Sequence, residues 1–120
     1  MIKSDKYNLE GRTVTFSGDV IGVLKNIKKD VINIPLISQL VRSATSIGAN
    51  YCEANGASSK KDFKNKIYIC KKECKETKYR LEVMAKENNE YKDKFRELWK
   101  EAQELTLIFS KIIITLENKQ

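Results

Sequence analysis

Two long segments of the chain carry apolar residues at an alternating spacing of three and four positions. The first segment contains Phe63, Ile67, Cys70, Cys74, Thr77, Leu81 and Met84. The second contains Tyr91, Phe95, Leu98, Ala102, Leu105, Phe109, Ile112 and Leu116. This alternation keeps the side chains on one face of an α-helix, and several heptads of it are typical of a helix bundle. We therefore expect two long helices, each with one face in a common core.

The helix that carries the first stripe has the clearest predicted start in the chain. Ser59 and Asp62 form a variant of the capping box directly before the apolar positions begin. We expect this third helix to run to about Glu87. After a short turn, the fourth helix is expected from about Tyr91 to Glu117.

Two further helices are predicted in the first half of the chain. The first spans about Val14 to Lys29, and residues 1–13 are expected to form an irregular N-terminal lead. The second helix begins near Pro35, because proline's fixed φ suits a first helical turn. It ends at Gly56, which we expect in the left-handed conformation that glycine favours after a helix.

The four helices predict an all-α, single-domain protein, in which residues 14–118 form an antiparallel up-down four-helix bundle. Short connections favour antiparallel neighbours, and no strand pattern competes. A chain of 120 residues is long enough to bury an independent core.

The charge balance favours anionic partners, above all nucleic acid. The net charge is +7, and the estimated pI is 9.3. No stretch reaches about 18 uncharged apolar residues, so no membrane span is expected. The N-terminus lacks the apolar segment of a secretory signal, which makes the cytoplasm the expected location.

The composition argues against metal and cofactor chemistry. The chain has no histidine, which a di-metal carboxylate bundle needs in Glu-x-x-His pairs. Cys70 and Cys74 share a helical face, but zinc needs about four ligands. Both cysteines also fall on the apolar stripe, where a free thiol packs as a small hydrophobe. We expect core filling, with no metal, no cofactor and no small-molecule substrate.

Glu53, Glu73 and Glu76 raise the question of an acid–base carboxylate pair. Such a pair requires burial or a nearby like charge to raise one pKa toward neutrality. Arg42 is expected nearby and would instead keep these carboxylates ionised. The simpler interpretation is an ion pair of Arg42 with one of the glutamates, within or across subunits. The chain is therefore not expected to be an enzyme.

The third helix is segregated by charge when it is projected at about 100° per residue. One flank of its apolar stripe carries five lysines, Lys60, Lys64, Lys71, Lys75 and Lys78. This lysine flank is either a surface that follows phosphates or an ordinary solvated face.

The fourth helix carries apolar residues outside its core stripe. Leu107 and Ile114 lie one heptad apart on the side that should be polar, with Trp99 on the same broad side. A helix that is apolar on two faces is buried on two faces. We expect a second copy of the chain to cover this face, which makes all three residues candidates for an oligomer interface.

The second helix has a compact polar face. It is formed by Gln39, Arg42, Ser46, Asn50 and Glu53. Of these, Arg42, Ser46, Asn50 and Glu53 are further candidates for an oligomer interface. The row is either a hydrogen-bonding network between subunits or a binding site.

Several runs of residues resemble a known family. They are the segment from Pro35 to Glu53, the run Ser59-Lys-Lys-Asp-Phe63, the run Cys70-Lys-Lys-Glu-Cys-Lys-Glu-Thr77, and Leu98-Trp-Lys-Glu-Ala102. In these runs the chain resembles the bacterial four-helix bundle proteins first met as products of reading frames within 23S ribosomal RNA intervening sequences. Where many relatives have Asn-Ile-Ala-Glu-Gly, this chain has Asn50-Tyr-Cys-Glu-Ala54 and so lacks the glycine.

The resemblance implies a partner for the chain as well as a fold. It implies a closed homopentamer of up-down four-helix subunits. It also implies kinship with the accessory variability protein of diversity-generating retroelements, a basic pentamer that binds a reverse transcriptase and nucleic acid. No enzymatic activity is attached to the family.

Two functions remain as hypotheses at this point. The leading one is a non-enzymatic oligomer that presents a basic surface to RNA, to another nucleic acid, or to an RNA-handling protein such as a reverse transcriptase. The alternative is a purely structural oligomer whose positive charge serves solubility alone.

Overall fold

The structure is a computed structural model that describes residues 8–118. Within this range the chain forms four α-helices, which are α1 (Leu9–Leu24), α2 (Asn33–Asn55), α3 (Lys60–Glu87) and α4 (Lys92–Asn118), with a 3₁₀ turn over Asn89–Tyr91. The described range contains no strand. The predicted all-α class is confirmed.

Each helix packs against its neighbours in sequence, and α4 returns to α1 to close the bundle. The molecule measures 48 × 30 × 20 Å. The long axis is nearly spanned by α3, whose 28 residues extend about 42 Å at 1.5 Å per residue. Asn33 at the start of α2 and Asn88 after the end of α3 exchange side-chain hydrogen bonds of 3.2 and 3.1 Å. Short connections and these end contacts confirm the antiparallel up-down bundle.

Both apolar stripes lie in the core. Every stripe residue of α3 from Ile67 to Met84 is buried, and so is every stripe residue of α4 from Phe95 to Phe109. The first two helices contribute Phe16, Val20, Leu24, Leu40, Ala44 and Ile47. The 3-and-4 spacing therefore identifies the inward faces correctly.

The first helix begins at Leu9, ahead of the predicted Val14, and ends at Leu24 rather than near Lys29. It starts early because the Asn8 side chain caps it, accepting a hydrogen bond of 2.9 Å from the Gly11 backbone N–H. The predicted irregular lead over residues 1–13 is therefore too long, and its first seven residues lie outside the described range. At the other end, the Lys29 ammonium donates to the backbone carbonyls of Leu24, Lys25 and Ile27.

The second helix begins just before Pro35, as predicted, and its start is held by Asp30. That carboxylate accepts hydrogen bonds from the backbone N–H groups of Ile32 and Asn33, at 3.1 and 2.7 Å. The prediction for Gly56 is wrong in one respect. Gly56 follows the helix, but its φ of −100° is not left-handed. The backbone conformation at position 56 is therefore one that residues other than glycine can also adopt.

The predicted start of α3 is confirmed. The Ser59 hydroxyl accepts a hydrogen bond of 3.0 Å from the Asp62 backbone N–H, and the helix runs to Glu87. The fourth helix begins at Lys92 and ends at Asn118, within a residue of the predicted limits.

Candidate nucleic-acid and self-association surfaces

The lysine flank divides into free and engaged side chains. Lys60, Lys71 and Lys75 make no hydrogen bond or ion pair through their side chains within residues 8–118. From Lys60 to Lys75 the helix rises about 22 Å at 1.5 Å per residue. These three ammonium groups are therefore available, along one side of α3, to an anionic partner.

Lys64 is engaged with the end of α4. Its ammonium lies 3.1 Å from a Glu117 carboxylate oxygen, and the Tyr68 hydroxyl donates to the same oxygen at 2.9 Å. The hydrogen bonds from Lys64 and then Tyr68 lower the pKa of Glu117. The hydrogen bond to Glu117 is the main cause that raises the pKa of Tyr68. Part of the lysine flank thus stabilises the α3–α4 contact.

Lys78 is engaged with two side chains of α4. Its ammonium donates to the Gln103 side-chain oxygen at 2.6 Å and lies 5.4 Å from the centroid of the Trp99 ring. The Trp99 indole N–H in turn donates to the Glu82 carboxylate at 3.0 Å. Since these partners come from a second helix, helical projection of α3 alone could not reveal them.

A cleft lies at the Lys60 end of the lysine flank, where α2 turns into α3. Its volume is about 900 Å³, and Lys60, Lys61 and Lys64 are part of its lining. The clustering of three lysines there extends the positive surface of α3 around the end of the bundle.

The predicted second apolar face of α4 is exposed in the isolated subunit. Leu107 is 53% exposed and Ile114 is 58% exposed, although both are large aliphatic residues. We call these two residues the α4 patch. Trp99 does not belong to it, because it lies about 60° to 80° away from these residues around α4 and is half-buried against Lys78 and Glu82 of α3.

Arg42 joins α2 to α3 within one subunit. Its guanidinium pairs with Glu76 and lies 3.6 Å from the buried Glu73 carboxylate. Arg80 also donates to Glu76, at 2.9 and 3.2 Å. Hydrogen bonds from Arg80 and from Arg42 hold the pKa of Glu76 below its usual value. The expected pairing of Arg42 with a glutamate is thus present inside the chain, and Glu76 carries a charge at neutral pH.

The Glu73 carboxylate is less completely satisfied. The residue is 8% exposed, and its Oε1 accepts no hydrogen bond from the described residues. Its nearest cation is the Arg42 guanidinium. Glu76 also has Arg80 as a partner, whereas Glu73 forms its ion pair with Arg42, so removing Arg42 would leave the buried Glu73 carboxylate without its counter-charge.

The remaining polar residues of α2 do not converge with Arg42. The Asn50 side chain donates to the Ser46 carbonyl at 2.8 Å, one turn earlier in the same helix. Glu53 forms a 2.6 Å ion pair with Lys66 of α3. The predicted row is therefore not a single cluster, and Arg42 and Glu53 make two separate bridges to α3.

Cys70 and Cys74 are fully buried in the core, as predicted. The Cys70 thiol donates to the Ile47 carbonyl at 3.5 Å. Burial is the main cause that raises the pKa of each thiol to about 12. Within residues 8–118, histidine, cysteine and acidic side chains form no group of three that could hold a metal ion.

This burial leads to a prediction about thiol reactivity. In the folded protein at neutral pH, the exposed Cys52 should react promptly with Ellman's reagent, whereas Cys70 and Cys74 should react only after denaturation. The thiolate is the reacting species, and both its formation and its access are suppressed in the core. Absorbance at the thionitrobenzoate maximum, with and without guanidinium, measures this. Rapid reaction of all three thiols without denaturant would contradict the core assignment.

Another exposed apolar cluster was missed by sequence analysis. Val31 is 83% exposed, Ile32 58% and Ile34 54%, in the connection between α1 and α2 and the first turn of α2. We call these residues the connection patch. The signal was present as an apolar run inside a predicted connection, which is ordinarily polar.

The chain matches the family model described as 23S rRNA-intervening sequence protein over residues 8–111. This match covers nearly all of the described bundle. The chain belongs to the 23S rRNA-intervening sequence protein family. None of the curated proteins matches it.

A crystal structure of a member of the S23 ribosomal protein family from Bacteroides thetaiotaomicron, a protein of unknown function, is similar to this one. The two sequences are 30% identical, the TM-score is 0.77, and the match covers 87% of this chain and 96% of the other. The resemblance inferred from the sequence is therefore confirmed for family and fold.

Membership in the 23S rRNA-intervening sequence protein family carries limited functional information. The family's description names the intervening sequences of 23S rRNA, and neither comparison indicates an enzymatic family. No helix within residues 8–118 combines the length and the apolar composition that crossing a bilayer requires.

Proposed function

We propose that this protein is a non-enzymatic homo-oligomer, a pentamer as its family resemblance implies, that presents the lysine flank of α3 to RNA. The observation that carries the proposal is the set of ammonium groups of Lys60, Lys71 and Lys75, which have no internal partner in the described chain. Lysines that stabilise the subunit are engaged, as Lys64 and Lys78 are. Free lysines along one side of a helix can neutralise successive phosphates.

Two further features support an RNA partner. The net charge of +7 favours association with a polyanion over a large part of the surface. The family is named after the intervening sequences of 23S rRNA, which places its members in an RNA context. A protein that handles RNA, such as a reverse transcriptase, could share the same complex, and we expect the complex in the cytoplasm.

Self-association is supported by the exposed apolar residues. A closed ring requires two different faces that meet each other, whereas a two-fold dimer requires one face that meets itself. The subunit has two such faces, the α4 patch and the connection patch, on different helices. Their contact between neighbours would cover apolar side chains that the subunit leaves in water.

The proposal is tested with a variant in which Lys60, Lys71 and Lys75 are all replaced by glutamine. We expect weaker binding of RNA of any sequence, and a log–log salt slope reduced by roughly 0.7 to 0.9 for each lost contact. Stability should change little, because Lys60 and Lys75 are exposed, Lys71 is half-buried, and none of the three forms an ion pair within the described chain. Fluorescence anisotropy of labelled RNA over a series of salt concentrations measures both quantities.

The matched control replaces Lys25, Lys28 and Lys94 by glutamine. These lysines are exposed and lie away from the flank, so this variant has the same net charge as the first. If both variants lose affinity equally, net charge rather than the flank is responsible. If the wild type binds no RNA even at low salt, the proposed function is wrong and a purely structural oligomer is favoured.

A further inference from the structure

A groove opens between the second half of α3 and the first half of α4. Its volume is about 500 Å³, and its floor is apolar, formed by Leu81, Ala85 and Phe95. Trp99 forms one wall. Leu81 and Phe95 are each 1% exposed, so the floor belongs to the packed core and cannot collapse into the groove. The groove is a preformed apolar slot beside an aromatic ring.

The rim of the groove is strongly basic. Lys92, Arg96 and Lys100 line it from α4, at successive helical turns about 6 Å apart. Among residues 8–118, the ion pairs of Arg96 and Lys100 are long, at 3.3 and 3.5 Å, and involve the exposed carboxylates of Asp93 and Glu97. Exposed pairs of this kind contribute little free energy and exchange readily with another anion. The rim therefore offers three cations beside an apolar slot.

The Trp99 ring is held in place by the subunit itself. Its N–H donates to Glu82 at 3.0 Å, and the Lys78 ammonium lies over the ring, 5.4 Å from its centroid. Lys78 is not part of the groove lining, so it approaches the indole from outside the slot. Lys78 is also the C-terminal member of the lysine flank. The groove therefore lies next to the Lys78 end of that basic surface.

We propose that this groove holds one unpaired base of a single-stranded RNA, stacked on Trp99, with its neighbouring phosphates on Arg96 and Lys100. The proposal rests on the proposed function and deepens it, because it assigns the base-contacting site. A nucleotide fits better than an aliphatic side chain of a neutral peptide, since it brings a flat ring to Trp99 and anionic phosphates to the basic rim. Glu82 also lines the groove, and its carboxylate can accept a hydrogen bond from an exocyclic amino group or a ring N–H of the base.

Trp99 is the only tryptophan of the chain, so its fluorescence reports on the groove directly. We expect a single-stranded oligoadenylate to quench this fluorescence, and the quenching should saturate at the concentration where labelled oligoadenylate reaches full anisotropy. If anisotropy rises while Trp99 fluorescence stays constant, RNA binds elsewhere, so the groove is wrong and the proposed function stands. If neither signal changes at low salt, both are wrong. Quenching by polyglutamate but not by oligoadenylate would assign the groove to an acidic peptide.

Substitutions at Trp99 separate stacking from simple filling of the slot. Trp99→Leu keeps an apolar wall without a ring and should weaken binding of oligoadenylate about 5- to 150-fold, the range measured for loss of one stacked base. Trp99→Phe restores a ring and should recover most of the affinity. Circular dichroism verifies that both variants are folded. Equal affinity of the two variants would contradict stacking.

The rim is tested by a matched pair of charge changes on one turn of α4. Arg96→Gln removes a rim cation, whereas Lys94→Gln removes the same charge from the side of α4 that faces α1. We expect Arg96→Gln to weaken binding of oligoadenylate several-fold more than Lys94→Gln at low salt. Equal effects would mean that the rim has no specific contact with the strand.

Discussion

Replacing both residues of the α4 patch by lysine should convert the oligomer into a folded, helical monomer or a smaller assembly. Leu107 and Ile114 are more than half exposed in the subunit, so the substitutions do not disturb the core. In a desolvated interface, each unpaired ammonium costs several kcal/mol. Light scattering measures the mass, and circular dichroism verifies that the helices persist.

A control variant places the same charge on another exposed aliphatic residue. Val14 of α1 is 67% exposed and belongs to neither apolar patch. Val14→Lys should leave the mass of the oligomer unchanged. An unchanged mass for the Leu107→Lys, Ile114→Lys variant would remove the α4 patch from the interface.

The substitution Gly48→Ala should destabilise the fold by about 1 to 2 kcal/mol, although alanine is the better helix former. A methyl group at Gly48 would lie 2.6 Å from Thr13 Oγ1 and 2.9 Å from Thr13 Cβ, where α1 crosses α2. Thr13 is 1% exposed, so its side chain has no free space into which to move. Overpacking costs about 1 to 3 kcal/mol, which exceeds the 0.5 to 1 kcal/mol that alanine gains in a helix. Urea unfolding measures the net change.

Two other variants test whether the contact with Thr13 is the cause. A Cβ at Gly18, in the middle of α1, meets no atom of the described residues within 4 Å, so Gly18→Ala should stabilise the protein by about 0.5 to 1 kcal/mol. Adding Thr13→Ala to Gly48→Ala should restore part of the lost stability, because it removes Oγ1, the atom nearest to the new methyl group, and leaves only the contact with Cβ. A Gly48→Ala protein as stable as the Gly18→Ala protein would contradict the close approach of α1 and α2.

The inward faces of α3 and α4 were predictable from sequence because periodicity is a local property. Spacing alone places Ile67, Cys74 and Phe109 on inward faces, and Ser59 marks its own helix start. The start of α1 was missed because its cap, Asn8, precedes the region where apolar periodicity is evident. A single capping side chain there outweighed the weak pattern that suggested Val14.

The candidate surfaces were predictable only in part. Projection of α3 identified the lysine flank, but the engagement of Lys64 and Lys78 depends on the register of α4 against α3. The sequence also indicated that Arg42 pairs with a glutamate. It did not indicate whether that glutamate belongs to the same subunit, because this depends on how α2 packs against α3. The Trp99 groove needs side chains from both helices, so neither helix alone could indicate it.

The central claim is that an oligomer of this chain binds RNA through a basic surface. The most direct measurement is analytical ultracentrifugation of the protein with fluorescently labelled single-stranded RNA, recorded by protein absorbance and by the label over a range of salt. We predict that at low salt the RNA sediments with a species several times heavier than the 13.8 kDa chain. Added salt should release the RNA and leave that protein species intact. A protein that sediments as a monomer, or RNA that sediments alone at the lowest salt, would contradict the claim.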